Sequence, residues 1–369
     1  MVTSPIHTRI CDMFGIEQPI FAFSHSVDVV VAVTLAGGLG VYGGTRSLPE
    51  EIEAALAEIR ERVGSRPFGV DLVIPKGMPE RNNREEIEAQ LPDEHRAFVD
   101  HLFDKYDVPR DGLAGPRSRF VRSEETARRQ ADVVLASDVD LFAIGIGSPE
   151  EIVTEAKRRG KRVLSLVGAP KHARRAIEAG AEILVAQGHD SGAHTGPIGT
   201  FSLIPQVVQV AGDTPVLAAG GVATGQHIAA ALALGAVGVW VGTAWLATQE
   251  ADTLPSVKRK LIEAGSEDTV ITRAQSGKTN RQLRTAYQDE WAAEDAPTPL
   301  KMPYQDILVG DLLGAITRHD VEPLIGSGAG QGVVWTDREA SVAEVINRFV
   351  AEASASLAGL PGHGATSAG

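Results

Sequence analysis

Short β-branched and apolar runs alternate with longer stretches of helical spacing through the first two thirds of the chain, the pattern of repeated βα units around a parallel sheet. Strands are expected at PIFAF (19–23), LGVYG (39–43), FGVDLVI (68–74), LFAIGI (141–146), VLSLVG (163–168), ILVAQG (183–188), PVLAAG (215–220) and GVWVGT (238–243), eight in all. Between them SPEEIVTEAKRRG, APKHARRAIEAG and ATGQHIAAALALG read as helices that close on glycine, as helix ends favour. The strands are apolar almost throughout instead of alternating, so both of their faces should be buried. The expected fold class is α/β, a (β/α)8 TIM barrel wrapped by helices. A doubly wound open sheet is the competing layout, and the GxGxxG turn that would mark it does not follow the first strand.

Two stretches break this rhythm. Residues 76–120 follow the third strand, are highly charged and carry helical spacing in their middle. They read as a helical insertion over the barrel mouth, with a solvated decoration as the alternative. Beyond Glu250, LPSVKRKLIEAG and SVAEVINRFVAEASASLAG read as helices joined by Gly-, Pro- and Trp-containing connections, a smaller, mainly helical second domain. The expected organisation is a barrel from 1–75 and 121–250, the insertion at 76–120, and a C-terminal domain at 251–369 that packs on the barrel and ends in a frayed tail, LPGHGATSAG.

Composition narrows the function. A formal net charge of -13 and a pI near 5.3 argue against nucleic-acid and anionic-membrane partners, which need a cationic surface. Cys11 is the only cysteine, so disulfides and cysteine-based metal sites are excluded, and a thiol near the start of the chain reads as apolar filling. No basic region followed by a sustained apolar run opens the chain, and no apolar run reaches the roughly 18 residues of a spanning helix, so a cytoplasmic protein is expected.

Chemistry on such a barrel belongs at the carboxyl ends of the strands, and phosphate commonly sits at the loops after the seventh and eighth. AAGGVATGQHI places Gly220, Gly221 and Gly225 after the seventh strand and before a helix, and VWVGTAWLA places Gly242 and Thr243 at the end of the eighth. Glycine lets backbone N–H groups approach an anion, and a helix N-terminus favours its charge. The bland alternative is that these glycines only turn tight corners.

AQGHDSGAHTG (186–196), PVLAAGGVATGQHIAAALALGAVGVWVGTAWLAT, FGVDLVIP, DTVITRAQSGKTNRQLR and GAGQGV together resemble the nitronate monooxygenase family, formerly called 2-nitropropane dioxygenases, over about residues 6–350 and most densely over 183–248. The resemblance implies an FMN-binding barrel with a smaller domain closing over the flavin. It places the FMN phosphate at Gly221, Gly242 and Thr243, with Trp240 and Val241 alongside, and flavin contacts at Gln187 and Gly192. Asp71 stands where the family usually has asparagine. His194 corresponds to the family histidine beside the flavin ring, acting as catalytic base or as hydrogen-bond donor to substrate; the pair before it is Gly192-Ala193 where the family has two glycines. Where the family usually reads QAPM, this chain has AFSH (22–25), so His25 takes the place of a methionine close to the flavin and becomes a candidate substrate contact, or a strand-end histidine bonded to backbone.

Imidazole suits proton transfer near neutrality, and the small residues around His194 leave room for a flat cofactor and a ligand. A metal site from His189, Asp190 and His194 is the weaker reading of the same loop, and His189 alone reads as solvated. Lys278, Arg281 and Arg284 offer cations for a phosphate, a nicotinamide cofactor or an anionic substrate, and Gln331 lies on a glycine loop that reaches toward the site. The expected activity is FMN-dependent oxidation of alkyl nitronates by O2 to a carbonyl compound and nitrite, in a protein whose assembly as a homodimer stays open. The alternative is an NADH- or NADPH-dependent FMN reductase acting on quinones or enoyl thioesters. A flavin-free lyase or isomerase of sugar phosphates and a non-catalytic flavin carrier complete the field.

Overall fold

The computed structural model describes residues 4–74, 77–147 and 149–359. Eight parallel strands close into a barrel in the order β1 (Ile20–Ser24), β2 (Leu39–Gly43), β3 (Gly69–Val73), β4 (Leu141–Ile146), β5 (Arg162–Val167), β6 (Ile183–Gln187), β8 (Val216–Ala219) and β9 (Gly238–Val241), with β9 pairing back on β1. A two-residue strand, β7 (Ala193–His194), interrupts this series outside the barrel. The architecture is a TIM barrel.

Alternate strand residues explain why the sequence is apolar on both faces. Phe21, Leu39, Val41, Leu141, Leu164, Val185, Leu217 and Trp240 fill the barrel interior, floored by Ile10, Cys11 and Ile16 from the chain start. Their neighbours Ile20, Ala22, Leu184, Ala186, Val216, Val239 and Val241 pack outward under the helices. Burial raises the Cys11 thiol above its ordinary value, so this residue is inert filling.

Between β3 and β4 the chain forms the helices Arg84–Glu88 and Asp93–Lys105. Ile87, Val99 and Leu102 of these helices and Leu91 between them share one core with Ile307, Leu308 and Leu312 of the later helix Tyr304–Arg318, so the insertion and the chain after the barrel are packed together.

The stretch from 251 onward differs from the expected helical domain in two respects. It contributes β10 (Thr269–Thr272) and β11 (Asn280–Leu283), and the antiparallel sheet β10-β11-β7 ties it to the loop after β6. Its last helix, Val342–Ala358, does not belong to a separate unit. Val342, Ile346, Phe349 and Ala353 are buried in the barrel's outer core against the helix Gly225–Ala233, because this amphipathic face finds its apolar partner there. The tail expected at 360–369 lies outside the described residues.

Candidate active site

The carboxyl ends of the strands, the 117–122 segment and the 275–288 and 326–332 segments enclose a cavity of about 620 Å³. On one side stands the glycine cradle. Gly220 and Gly221, at φ +98° and +72°, turn the chain away from β8 in a conformation that L side chains rarely adopt. A Cβ on Gly242 would project into open space, and the Thr243 hydroxyl accepts a hydrogen bond from the Gly330 N–H at 3.0 Å, which keeps its own O–H available as a donor. Trp240 faces the interior and stacks on Phe23 at 6.0 Å, whereas the Val241 side chain packs outward and its carbonyl accepts from the Trp245 indole N–H at 2.8 Å.

The His194 loop is fixed from two sides. Gln187 Nε2 donates to the His194 carbonyl at 2.6 Å and sits 3.3 Å from the Ser191 hydroxyl, and β7 pairs with β11 so that His194 lies opposite Asn280. Ala193 holds φ +56°, a left-handed conformation that costs an alanine about 1–2 kcal/mol and a glycine almost nothing. His194 Nε2 lies 2.9 Å from the Ser276 hydroxyl. Burial first, then Arg122, Arg117, Arg46 and Lys278, push its pKa down to about 3, so the imidazole is neutral at physiological pH. Gly192 lines the cavity, but its missing side chain answers to a different neighbour: a Cβ would meet Gly330 N at 2.7 Å, where the 326–332 segment docks.

Asp71, on β3, and His25, just past β1, also line the cavity. Asp71 is buried, its Oδ1 has no hydrogen-bond partner, and burial pushes its pKa up to about 7 against a smaller opposing pull from Arg122. His25 Nδ1 donates to the Gly43 carbonyl at 2.7 Å, since a carbonyl can only accept, so the neutral ring offers Nε2 as an acceptor. Burial and the same arginines lower its pKa. His25 is thus both bonded to backbone and open to the cavity.

Three cavity residues stand outside the sequence expectations: Arg46, Arg117 and Arg122. Arg117 pairs with Asp306 at 3.0 Å and Arg46 reaches the same oxygen at 3.7 Å, while Arg117 also donates to Gln275 at 3.1 Å. Arg117 and Arg122 stand in the charge-rich stretch 76–122 and Arg46 in the turn after β2, and nothing in the sequence separates these side chains from solvated ones. Asp306, the partner of Arg117 and Arg46, lies far along the chain.

The nitronate monooxygenase family model matches residues 7–352. The chain belongs to the nitronate monooxygenase family. A protein of Mycobacterium tuberculosis bearing a provisional monooxygenase name, Rv1533, is 41% identical over 367 residues, spanning 94% of this chain and 96% of that one. Among solved structures, nitroalkane oxidase from Streptomyces ansochromogenes superposes with a TM-score of 0.80 at 27% identity, covering 94% of this chain and 98% of that chain. FabK from Thermotoga maritima gives a TM-score of 0.73 at 29% identity, covering 95% and 97%. The protein is accordingly an oxidoreductase of a generally flavin-dependent family.

The remaining candidates of this nitronate monooxygenase family member are placed as follows. His189 is half-buried with Nδ1 2.7 Å from the Gly196 carbonyl, so it is a loop brace and not a solvated side chain. Asp190 accepts from the Thr200 N–H at 3.0 Å, and among the described residues no cluster of three His, Cys, Asp or Glu is arranged to hold a metal. Arg281 is buried beneath the loop, donating to the His189 carbonyl and the Thr269 hydroxyl, and Arg284 pairs with Asp289 at the surface. Lys278 is half-buried near the arginines, and burial lowers its pKa. Gln331 docks through its backbone N–H on the Asp190 carbonyl, outside the cavity lining. Among the described residues no helix is long and apolar enough to cross a membrane.

Proposed function

We propose that the cavity binds FMN and oxidises alkyl nitronates with O2 to a carbonyl compound and nitrite. The observation that carries this reading is the neutral His194, held at the same cavity as the glycine cradle. The residues present fit the cofactor: the cradle is open at Gly242, Thr243 keeps a donor for a phosphate, and the unpartnered Asp71 Oδ1 offers a buried polar atom to a flat heteroaromatic ring. FMN, when bound, supplies the electron-accepting ring.

The protein supplies position and charge. Neutral His194 presents a hydrogen bond to the nitro oxygens, and the arginines around it favour an anion over the neutral nitroalkane. Gln187 and the β7–β11 pairing hold the imidazole still, and the 326–332 segment packs against the loop at Gly192. A His194→Asn variant assayed by oxygen uptake is expected to lose about 10²–10⁴-fold on neutral nitroalkane if the ring also moves the proton, and far less on preformed nitronate. Equal losses on both reject proton transfer.

The likeness to FabK keeps the reductase reading in play. Mixing the loaded protein with substrates without oxygen separates the two. Bleaching of the flavin by a nitronate supports the proposal, whereas rapid bleaching by NADH or NADPH transfers the site to the reduction of quinones or enoyl thioesters.

A further inference from the structure

We infer that Asp71 is the proton partner of the flavin: its carboxyl takes up a proton from solvent when the ring is reduced, and so makes the ring's affinity for electrons depend on pH. This rests on the FMN half of the proposed function and not on the identity of the electron donor.

The side chain is prepared for a partner that the chain itself does not supply. Asp71 lies on β3 in register with Gly43 of β2 and Ala143 of β4, is 5% exposed and lines the cavity, yet its Oδ1 has no hydrogen-bond partner. A bare buried oxygen is destabilising, so its retention points to a partner from outside the chain. Glycine keeps room around it. A Cβ on Gly145 would stand 3.3 and 3.4 Å from the two Asp71 oxygens, and one on Gly43 would meet His25 Nδ1 at 2.7 Å.

The surroundings leave the carboxyl poised between its two forms. His25, past the end of β1, is held neutral and spends Nδ1 on the Gly43 carbonyl. The strand β4 (LFAIGI) carries no charge, Arg46 and Arg117 are engaged with Asp306, and Lys278 and the neutral His194 belong to the β7–β11 side. Of the charges around the cavity, Arg122 alone pulls on Asp71. Burial outweighs that pull and holds the carboxyl at about 7, so near neutrality it is neither a fixed charge nor a fixed neutral group.

Reduction by two electrons and one proton leaves one negative charge on the ring. A carboxylate beside that charge is repelled, whereas a carboxylic acid donates a hydrogen bond to it. The electrons come from the nitronate, which is oxidised, or from an electrode. A second proton comes from solvent and forms the O–H of Asp71, and no other bond at this residue is made or broken. The coupling is reciprocal: reduction raises the proton affinity of Asp71, and protonation of Asp71 raises the electron affinity of the ring by the same factor.

The test measures the midpoint potential of the FMN-loaded protein between pH 6 and 9, at an electrode with a mediator dye and no substrate. Asp71→Asn, which keeps the shape and takes no proton, is the reference. At pH 6 the two proteins should agree within about threefold in the equilibrium constant for reduction. Above pH 7 the unaltered protein should fall away, to about 10–100-fold below the variant by pH 9, where tenfold is about 30 mV for a two-electron couple. At pH 8.5 its reduction should also bring up the infrared band of a protonated carboxyl, absent from Asp71→Asn. Arg122→Gln gives an independent readout: the pH at which the potential begins to steepen moves upward, because the cation that favours ionised Asp71 is gone. A gap between the unaltered protein and Asp71→Asn that stays constant with pH, or reduction without the carboxyl band, overturns the inference and leaves nitronate oxidation standing. A gap that widens with pH in a protein whose flavin no nitronate bleaches sustains the inference and rejects the oxidation. Protein that takes up no FMN rejects both.

Discussion

Asp71 and His194 bend the pH dependence of stability in opposite directions. The Asp71 carboxyl titrates at about 7 in the folded protein against 3.8 as its ordinary value, so its contribution is complete below about pH 4 and is lost as pH rises through 7. His194, moved from 6.5 to about 3, contributes fully above 6.5 and loses that contribution as pH falls through 3. Replacing Asp71 by Asn keeps the shape and removes the buried charge. Thermal melts at pH 5 and 8.5 should show Asp71→Asn gaining most of its stability at the higher pH and clearly less at the lower. The gain is up to roughly 4 kcal/mol, since each tenfold change in proton affinity between folded and unfolded chain is worth about 1.4 kcal/mol. Parallel melting curves at both pH values would discard this account of the carboxyl. The departure from the family asparagine was visible in the sequence; its missing hydrogen bond was not, because that depends on what surrounds β3.

At the scale of elements, the eight barrel strands were legible because each is largely buried on both faces and is apolar almost throughout. β7, β10 and β11 left no such trace. Ala193–His194 is two residues long and Asn280–Leu283 reads NRQL, three polar residues before a leucine, and it pairs with a strand more than 80 positions away. The glycine turns after β8 and β9 were legible, but the role of Gly192 was not, since the backbone it admits comes from 329–330. Gly192→Ala must push that segment away. We expect a cost of about 1–3 kcal/mol, as for other overpacked sites, together with faster loss of FMN on dilution, read by flavin fluorescence. Unchanged melting and unchanged retention would show that the 326–332 segment does not clasp the loop.

For the whole molecule, the sequence separated barrel, insertion and C-terminal unit as blocks, whereas the apolar faces regroup them. The insertion shares a core with Tyr304–Arg318, and the last helix returns to the barrel. Such pairings arise between faces far apart in the chain, so spacing along one segment cannot announce them. The same distance hid the pairing of Arg46 and Arg117 with the buried Asp306 of Tyr304–Arg318. At the returning helix, Glu352 accepts the Gly225 N–H at 2.7 Å, placing a carboxylate at the start of Gly225–Ala233. Glu352→Ala should cost about 1 kcal/mol, whereas Glu352→Gln, which can still accept, should cost less; denaturant midpoints would check the order.

That contact also sets a schedule for biosynthesis. Gly225 sits four residues beyond Gly221, and a Cβ there would collide with the Ala353 amide, so the helix bordering the cradle is braced from near the far end of the chain. A ribosome that has finished all eight barrel strands still holds back this brace, and the nascent chain must extend beyond residue 353 before that helix is held in place.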